Sequence, residues 1–156
     1  MKAFASIIAA IAAVSAAGAD GATAFVPYRD LFLVAEVPAK AHRDEPGSFS
    51  MDRAGVSTRF QLIASTPHVN ERELSCENHP VQYRVSNARL FAYSCLVGGS
   101  VRYHAEKYGA TYRVGASDAT ETIEFNITYP AAQRAYWDPI VARVSKSLRF
   151  ARRPGA

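Results

Sequence analysis

The chain has 156 residues, 49% of them hydrophobic and 21% charged, with a formal net charge of +4. That length suits one domain with a full hydrophobic core. So modest a positive charge argues against nucleic-acid binding, which needs a dense cationic surface and weakens steeply with salt.

The amino terminus reads as a bacterial export signal. Lys2 supplies a positive start, Ala3 to Val14 an apolar run broken only by Ser6, and Ala17-Gly18-Ala19 the small-x-small pattern of a cleavage site. The run is too short and too rich in alanine to anchor as a membrane helix. Cleavage is expected after Ala19, or after Ala24 at the second such site, Ala22-Thr23-Ala24. Residues 1–19 are then a discarded signal peptide, 25–150 a single α+β domain, and 151–156 a basic flexible tail with Arg152 and Arg153. No second long apolar run follows, so no integral membrane segment is expected after cleavage, and the location is periplasmic or secreted.

Phe25 to Asp30 is a lead-in containing Pro27, and Leu31 to Val37 is an apolar strand stopped by Pro38. Lys40 to Gly55 is polar, carries Pro46, Gly47 and Gly55, and reads as a loop. Thr58 to Ala64 alternates as a half-buried strand, with Phe60, Leu62 and Ala64 on one face. Ser65 to Pro80 is a further polar stretch. Val81 to Val85 alternates again, Ser86-Asn87-Ala88 makes a turn, and Leu90 to Val97 is apolar enough to be a central strand. Gly98-Gly99-Ser100 turns the chain.

Val101 to Lys107 fits either a strand or a helix, and the flanking glycines favour the strand. Thr111 to Val114 is a strand. Glu121 to Tyr129 has the cleanest period of two: Ile123, Phe125, Ile127 and Tyr129 take one face and Thr122, Glu124, Asn126 and Thr128 the other. Two helical pieces should close the chain. The first is a short turn or helix from Pro130 to Trp137. The second runs from Pro139 to about Arg149, capped by Asp138, with Ile140, Val141, Val144 and Leu148 as its apolar stripe. Strands followed by one terminal helix describe an antiparallel β-sheet with a C-terminal α-helix packed on one face, an α+β fold.

Two cysteines in an exported chain make one disulfide, Cys76 to Cys95. Closing a loop of that length stabilises by about 3 kcal/mol in the chain-entropy model.

FNITYP at Phe125 to Pro130 and YWDPIVARVSKSLRF at Tyr136 to Phe150, with Ser147-Leu148 in the closing position, resemble the PsbP and DcrB type of exported α+β domain. The EVP at Glu36 to Pro38 is similar to the strand-proline start of that type. In outline the resemblance spans residues 28 to 150. It implies an accessory module without catalysis of its own.

The chemistry-bearing residues point the same way. His42, His68, His79 and His104 show no metal-ligand spacing, and no cofactor motif is present. His42 with Asp44 and Glu45 reads as a solvated charge cluster. No Gly-x-Ser-x-Gly elbow occurs. A hydrolase would have to use Ser94 or Ser100 with His104 and an orienting group such as Asp118.

The remaining signal is a recurrence of tyrosine and arginine through the strands. Tyr83, Arg84, Tyr93, Arg102, Tyr103, Tyr112 and Arg113 form a candidate binding surface, because this pair of residue types dominates interface hot spots. The plainer reading is that tyrosines pack on the sheet and arginines face water. The function expected is an exported, non-catalytic binding or accessory module of the bacterial envelope. Its partner would be a protein or an anionic envelope polymer. The alternative is a small secreted hydrolase.

Overall fold

The structure is a computed structural model that describes residues 23–68, 76 and 78–152. The leader, its cleavage position after Ala19, residues 69–75 and the end of the tail lie outside the described residues.

Among the described residues ten strands form two antiparallel sheets, and a 3-10 turn over Ala131–Gln133 leads into one α-helix. A small sheet has the order β1-β2-β10, from β1 (Phe25–Arg29), β2 (Leu33–Pro38) and β10 (Arg149–Phe150). The large sheet contains β3 (His42–Glu45), β4 (Ser48–Arg53), β5 (Val56–His68), β6 (Val81–Ser86), β7 (Leu90–Val97), β8 (Ser100–Val114) and β9 (Ser117–Pro130). Its order is β3-β4-β5-β9-β8-β7-β6. Helix α1 spans Arg134–Ser147.

The α+β class is as the sequence reads, and several elements differ from expectation. Lys40 to Gly55 is a β3–β4 hairpin rather than a loop. All four residues of β3 are exposed, so that edge strand carries no apolar signal, while Phe49 and Met51 of β4 are buried. The lead-in is a strand, held by full pairing of β1 on β2. Leu31 and Phe32 leave the expected strand and form the turn between them. Strand β5 continues through Pro67 to His68, with a register shift against β9 that absorbs the proline. Val101 to Lys107 and Thr111 to Val114 are one strand, β8, interrupted by a bulge between Tyr108 and Thr111.

The central strand is β9; β7 lies next to the edge. The continuous burial of Phe91 to Cys95 has a different cause from centrality. Phe91, Tyr93 and Cys95 pack with Cys76 in a satellite cluster on one face, while Ala92 and Ser94 are small and face the other.

The expected short first piece is a 3-10 turn over Ala131–Gln133, and the main helix begins at Arg134 rather than Pro139. Pro139 sits inside α1, exposed and early enough to forfeit only the hydrogen bond to Ala135. Asp138 is no cap: its carboxylate accepts from Tyr129 Oη at 2.6 Å and pairs with Arg134. The helix stops at Ser147, and Arg149 belongs to β10. Ser147 Oγ donates to Val144 O at 3.0 Å and accepts from Glu36 N at 2.8 Å, which ties the helix end to β2. Lys107 Nζ donates to Leu148 O at 2.7 Å, placing a cation at the negative end of the helix; burial lowers its pKa.

Helix α1 and the small sheet together cover one face of the large sheet. Trp137, Ile140, Val144, Leu33 and Ala35 meet Phe60, Val101, Ile123, Phe125 and Ile127 in one core. Phe49 stacks on Phe60 at 5.0 Å, and Tyr28 and Phe125 meet this pair edge-on. Each such aromatic removed from water contributes on the order of 2 kcal/mol. Around Arg59, Gln61, Asn126 and Thr128 the other face of the large sheet is exposed or half-buried, whereas over β7 it is covered by the Cys76 cluster, in which Phe91, Tyr93 and Cys95 are buried.

Candidate functional site: the uncovered sheet face

Register alone arranges the uncovered face in rows. Cys95, Arg102 and Thr128 stand side by side across β7, β8 and β9. The next row is Tyr93, His104, Asn126 and, on β5, Gln61. The third is Phe91, Glu106, Glu124 and Ile63. Arg59 precedes Gln61 by two positions, so it lies on the same face beside the cationic end. The face thus grades from arginine through amide and histidine to carboxylate.

Two shallow hollows lie over this gradient and share Asn126, Ile127 and Thr128. One, of about 140 Å³, is lined also by Tyr93, Arg102 and His104; the other, of about 210 Å³, by Arg59 and Gln61. Together they make a shallow trough across four strands, lined by polar and apolar surface alike.

His104 is the hub of the middle row. Its Nδ1 lies 2.5 Å from Asn126 Oδ1 and its Nε2 2.7 Å from Glu106 Oε1. Tyr108 Oη donates to the second oxygen of Glu106 at 2.6 Å. The ring also packs 5.2 Å from that of Tyr93. Burial lowers the His104 pKa, but the hydrogen bonds to Glu106 and Asn126 and the charges of Glu106 and Glu124 outweigh it, and the net shift is upward. An imidazolium donating from both nitrogens fits these two acceptors. The network joins β8 to β9 through His104 and Asn126, and runs along β8 through Glu106 to Tyr108.

The sequence-predicted surface residues divide between the two faces. Arg84, Tyr93 and Arg102 lie on the face away from the helix, where Arg84 is exposed, Arg102 half-buried and Tyr93 buried in the Cys76 cluster. Tyr83 and Tyr103 lie on the helix side, where Tyr103 Oη bonds Ser145 Oγ at 2.9 Å and burial raises its pKa. Tyr112 and Arg113 lie at the far end of β8, opposite Ala119 and Asp118. Cys76 and Cys95 form the expected disulfide, with Cα atoms 6.0 Å apart. It fastens Cys76 to β7.

The serine–histidine groupings are not assembled. Ser94 points to the helix side and His104 to the other. Ser100 is four positions along β8 from His104, about 13 Å by strand rise, and Asp118 is at the opposite end of that strand. Among the described residues no group of three acidic, histidine or cysteine side chains is placed to hold a metal ion. No helix among them is long and apolar enough to cross a membrane.

Sequence reasoning misses Glu106, Asn126 and Gln61 as site residues, and considers His104 only as a partner of Ser94 or Ser100 in a hydrolase. The available signal was the polar face of Glu121 to Tyr129 together with His104, Glu106 and Tyr108 at every second position of β8.

No family model matches the chain, the PsbP and DcrB type included, and no curated protein matches it. Among solved structures it is similar to LpqN, involved in cell envelope biogenesis of Mycobacterium tuberculosis. The TM-score is 0.47 and the identity 11%, over 85% of this chain and 94% of that one.

Proposed function

We propose that this chain is an exported, non-catalytic binding module of the bacterial envelope, and that its partner lies across the uncovered face of the large sheet. The observation that carries this reading is the trough. Arg59, Arg102, Gln61, Asn126 and Thr128 converge on one uncovered surface, while the opposite face is filled by core. The arginine end suits a carboxylate or phosphate of an anionic envelope polymer or of an acidic protein. The Cys76–Cys95 bond supports maturation in an oxidising compartment. The organisation that goes with this is a leader removed after Ala19 or Ala24, a domain over 25–150 and a tail from 151.

Reversing the charge of Arg59 and Arg102 to glutamate tests the reading. Affinity for anionic envelope polymers, measured over a salt series, should fall at least about tenfold. Binding unchanged by both reversals would place the partner elsewhere.

A further inference from the structure

The largest apolar exposure among the described residues is at the tip of the β1–β2 hairpin. Leu31 is 84% exposed and Phe32 51%, while Leu33 beside them is fully buried. The turn that presents them is fixed. Asp30 Oδ1 accepts from Phe32 N at 2.7 Å and from Leu33 N at 2.8 Å, and Asp30 N donates to Leu33 O at 3.1 Å. Ala151 N donates to Phe32 O at 2.8 Å, which braces the tip from the C-terminal segment.

Arginines surround this apolar pair. Arg29 on β1 and Arg149 on β10 both stand opposite Val34, one on each side of β2. Arg29 Nη2 reaches the backbone O of Arg152 at 3.5 Å, which brings the chain at Arg152 beside Arg29. All three are exposed. The nearby acids are engaged: the Asp30 carboxylate holds the turn amides, and Glu36 is bonded to Arg143. An apolar tip with a cationic collar matches the boundary between headgroups and acyl chains. A soluble polyanion would satisfy the arginines and leave Leu31 and Phe32 in water. An anionic bilayer satisfies both.

We infer that the β1–β2 tip is a membrane-contact site for an anionic phospholipid surface. Leu31 and Phe32 enter the headgroup–acyl boundary, and Arg29, Arg149 and Arg152 take phosphates above it. The small sheet lies on the helix side of the large sheet, so this contact leaves the trough open and does not depend on it. Binding through one such tip is weak and reversible.

The only tryptophan of the chain, Trp137, is fully buried, so a Phe32→Trp variant carries its own reporter. The protein is recovered from exporting cells as processed there and mixed with vesicles of phosphatidylcholine, with or without phosphatidylglycerol. With phosphatidylglycerol present, the reporter emission should shift to the blue and be quenched by brominated acyl chains. Adding Leu31→Ser should lower partitioning at least about tenfold. Adding Arg29→Glu with Arg149→Glu should lower it by a similar factor and remove its salt dependence. These positions are exposed, and a urea midpoint confirms that each variant is folded. A Tyr83→Trp reporter, on the 46% exposed Tyr83 of β6, should stay unquenched, which separates tip insertion from attachment by the leader. A Phe32→Trp reporter unmoved by anionic vesicles, or partitioning indifferent to Leu31→Ser, overturns the inference and leaves the trough reading standing.

Discussion

Gly47 and Gly55 are a matched pair that isolates one close contact. Both hold a left-handed backbone, at φ +75° and +76°. A Cβ on Gly55 would meet nothing within 4 Å, whereas one on Gly47 would collide with the Leu62 carbonyl oxygen. The left-handed conformation costs an L-residue about 1–2 kcal/mol at either site. Gly55→Ala should therefore lose about 1–2 kcal/mol and no more. At Gly47 the obstacle is backbone, and Leu62 N already donates to Gly47 O at 2.7 Å. Relief must break that bond, at about 1 kcal/mol, and lift β4 from β5 where Phe49 stacks on Phe60. Overpacking distortions of this kind cost a further ~1–3 kcal/mol. Gly47→Ala should thus lose about 3–6 kcal/mol. Urea unfolding followed by Trp137 fluorescence measures both. Equal losses at the two glycines would refute the claim that Gly47 is required by contact as well as by φ.

Thr58 Oγ1 is a buried hydroxyl with no hydrogen-bond partner among the described residues, so Thr58→Val should raise stability by about 1 kcal/mol in the same assay. Replacing Cys76 and Cys95 together with alanine should lower it by about 3 kcal/mol, and alkylation of the native protein should label thiols only after reduction. The His104 pKa is raised on folding, so the stability it contributes is complete below its unfolded value of about 6.5 and is lost as pH rises through the folded value. His104→Gln should flatten stability across that window, as read by urea midpoints at several pH values; a profile equal to that of the unsubstituted protein would remove His104 from the network.

Most strands were legible because one face of each is buried. Glu121 to Tyr129 shows its alternation directly, since Ile123, Phe125, Ile127 and Tyr129 all enter the core and Asn126 and Thr128 do not. The β3–β4 hairpin was hidden because β3 buries nothing, and its signal reduced to Phe49, Met51 and the glycine at 47. Pro139 was misleading because a proline near the start of a helix forfeits a single bond, which the burial of Trp137 and Ile140 outweighs. Arg149 reads as the end of the helix because two residues of β10 are too few to show a period. The candidate site was legible only in part. Tyr93 and Arg102 carry composition that points to a surface, but their partners Asn126, Thr128 and Gln61 come from strands distant in sequence. Only the register of β5, β8 and β9 brings those residues together. Tyr83 and Tyr103, read into the same surface, fall on the opposite face because strand parity and the bulge between Val81 and Tyr83 send them there.

Site-specific photo-crosslinking in the native cell tests the uncovered face most directly. A photoreactive residue at Thr128, on the floor of the trough, should form one discrete adduct with an envelope component, and the same residue at the exposed Ala142 on the outer side of α1 should form none. Adducts from position 142 with none from 128 would contradict the assignment of this face as the binding surface.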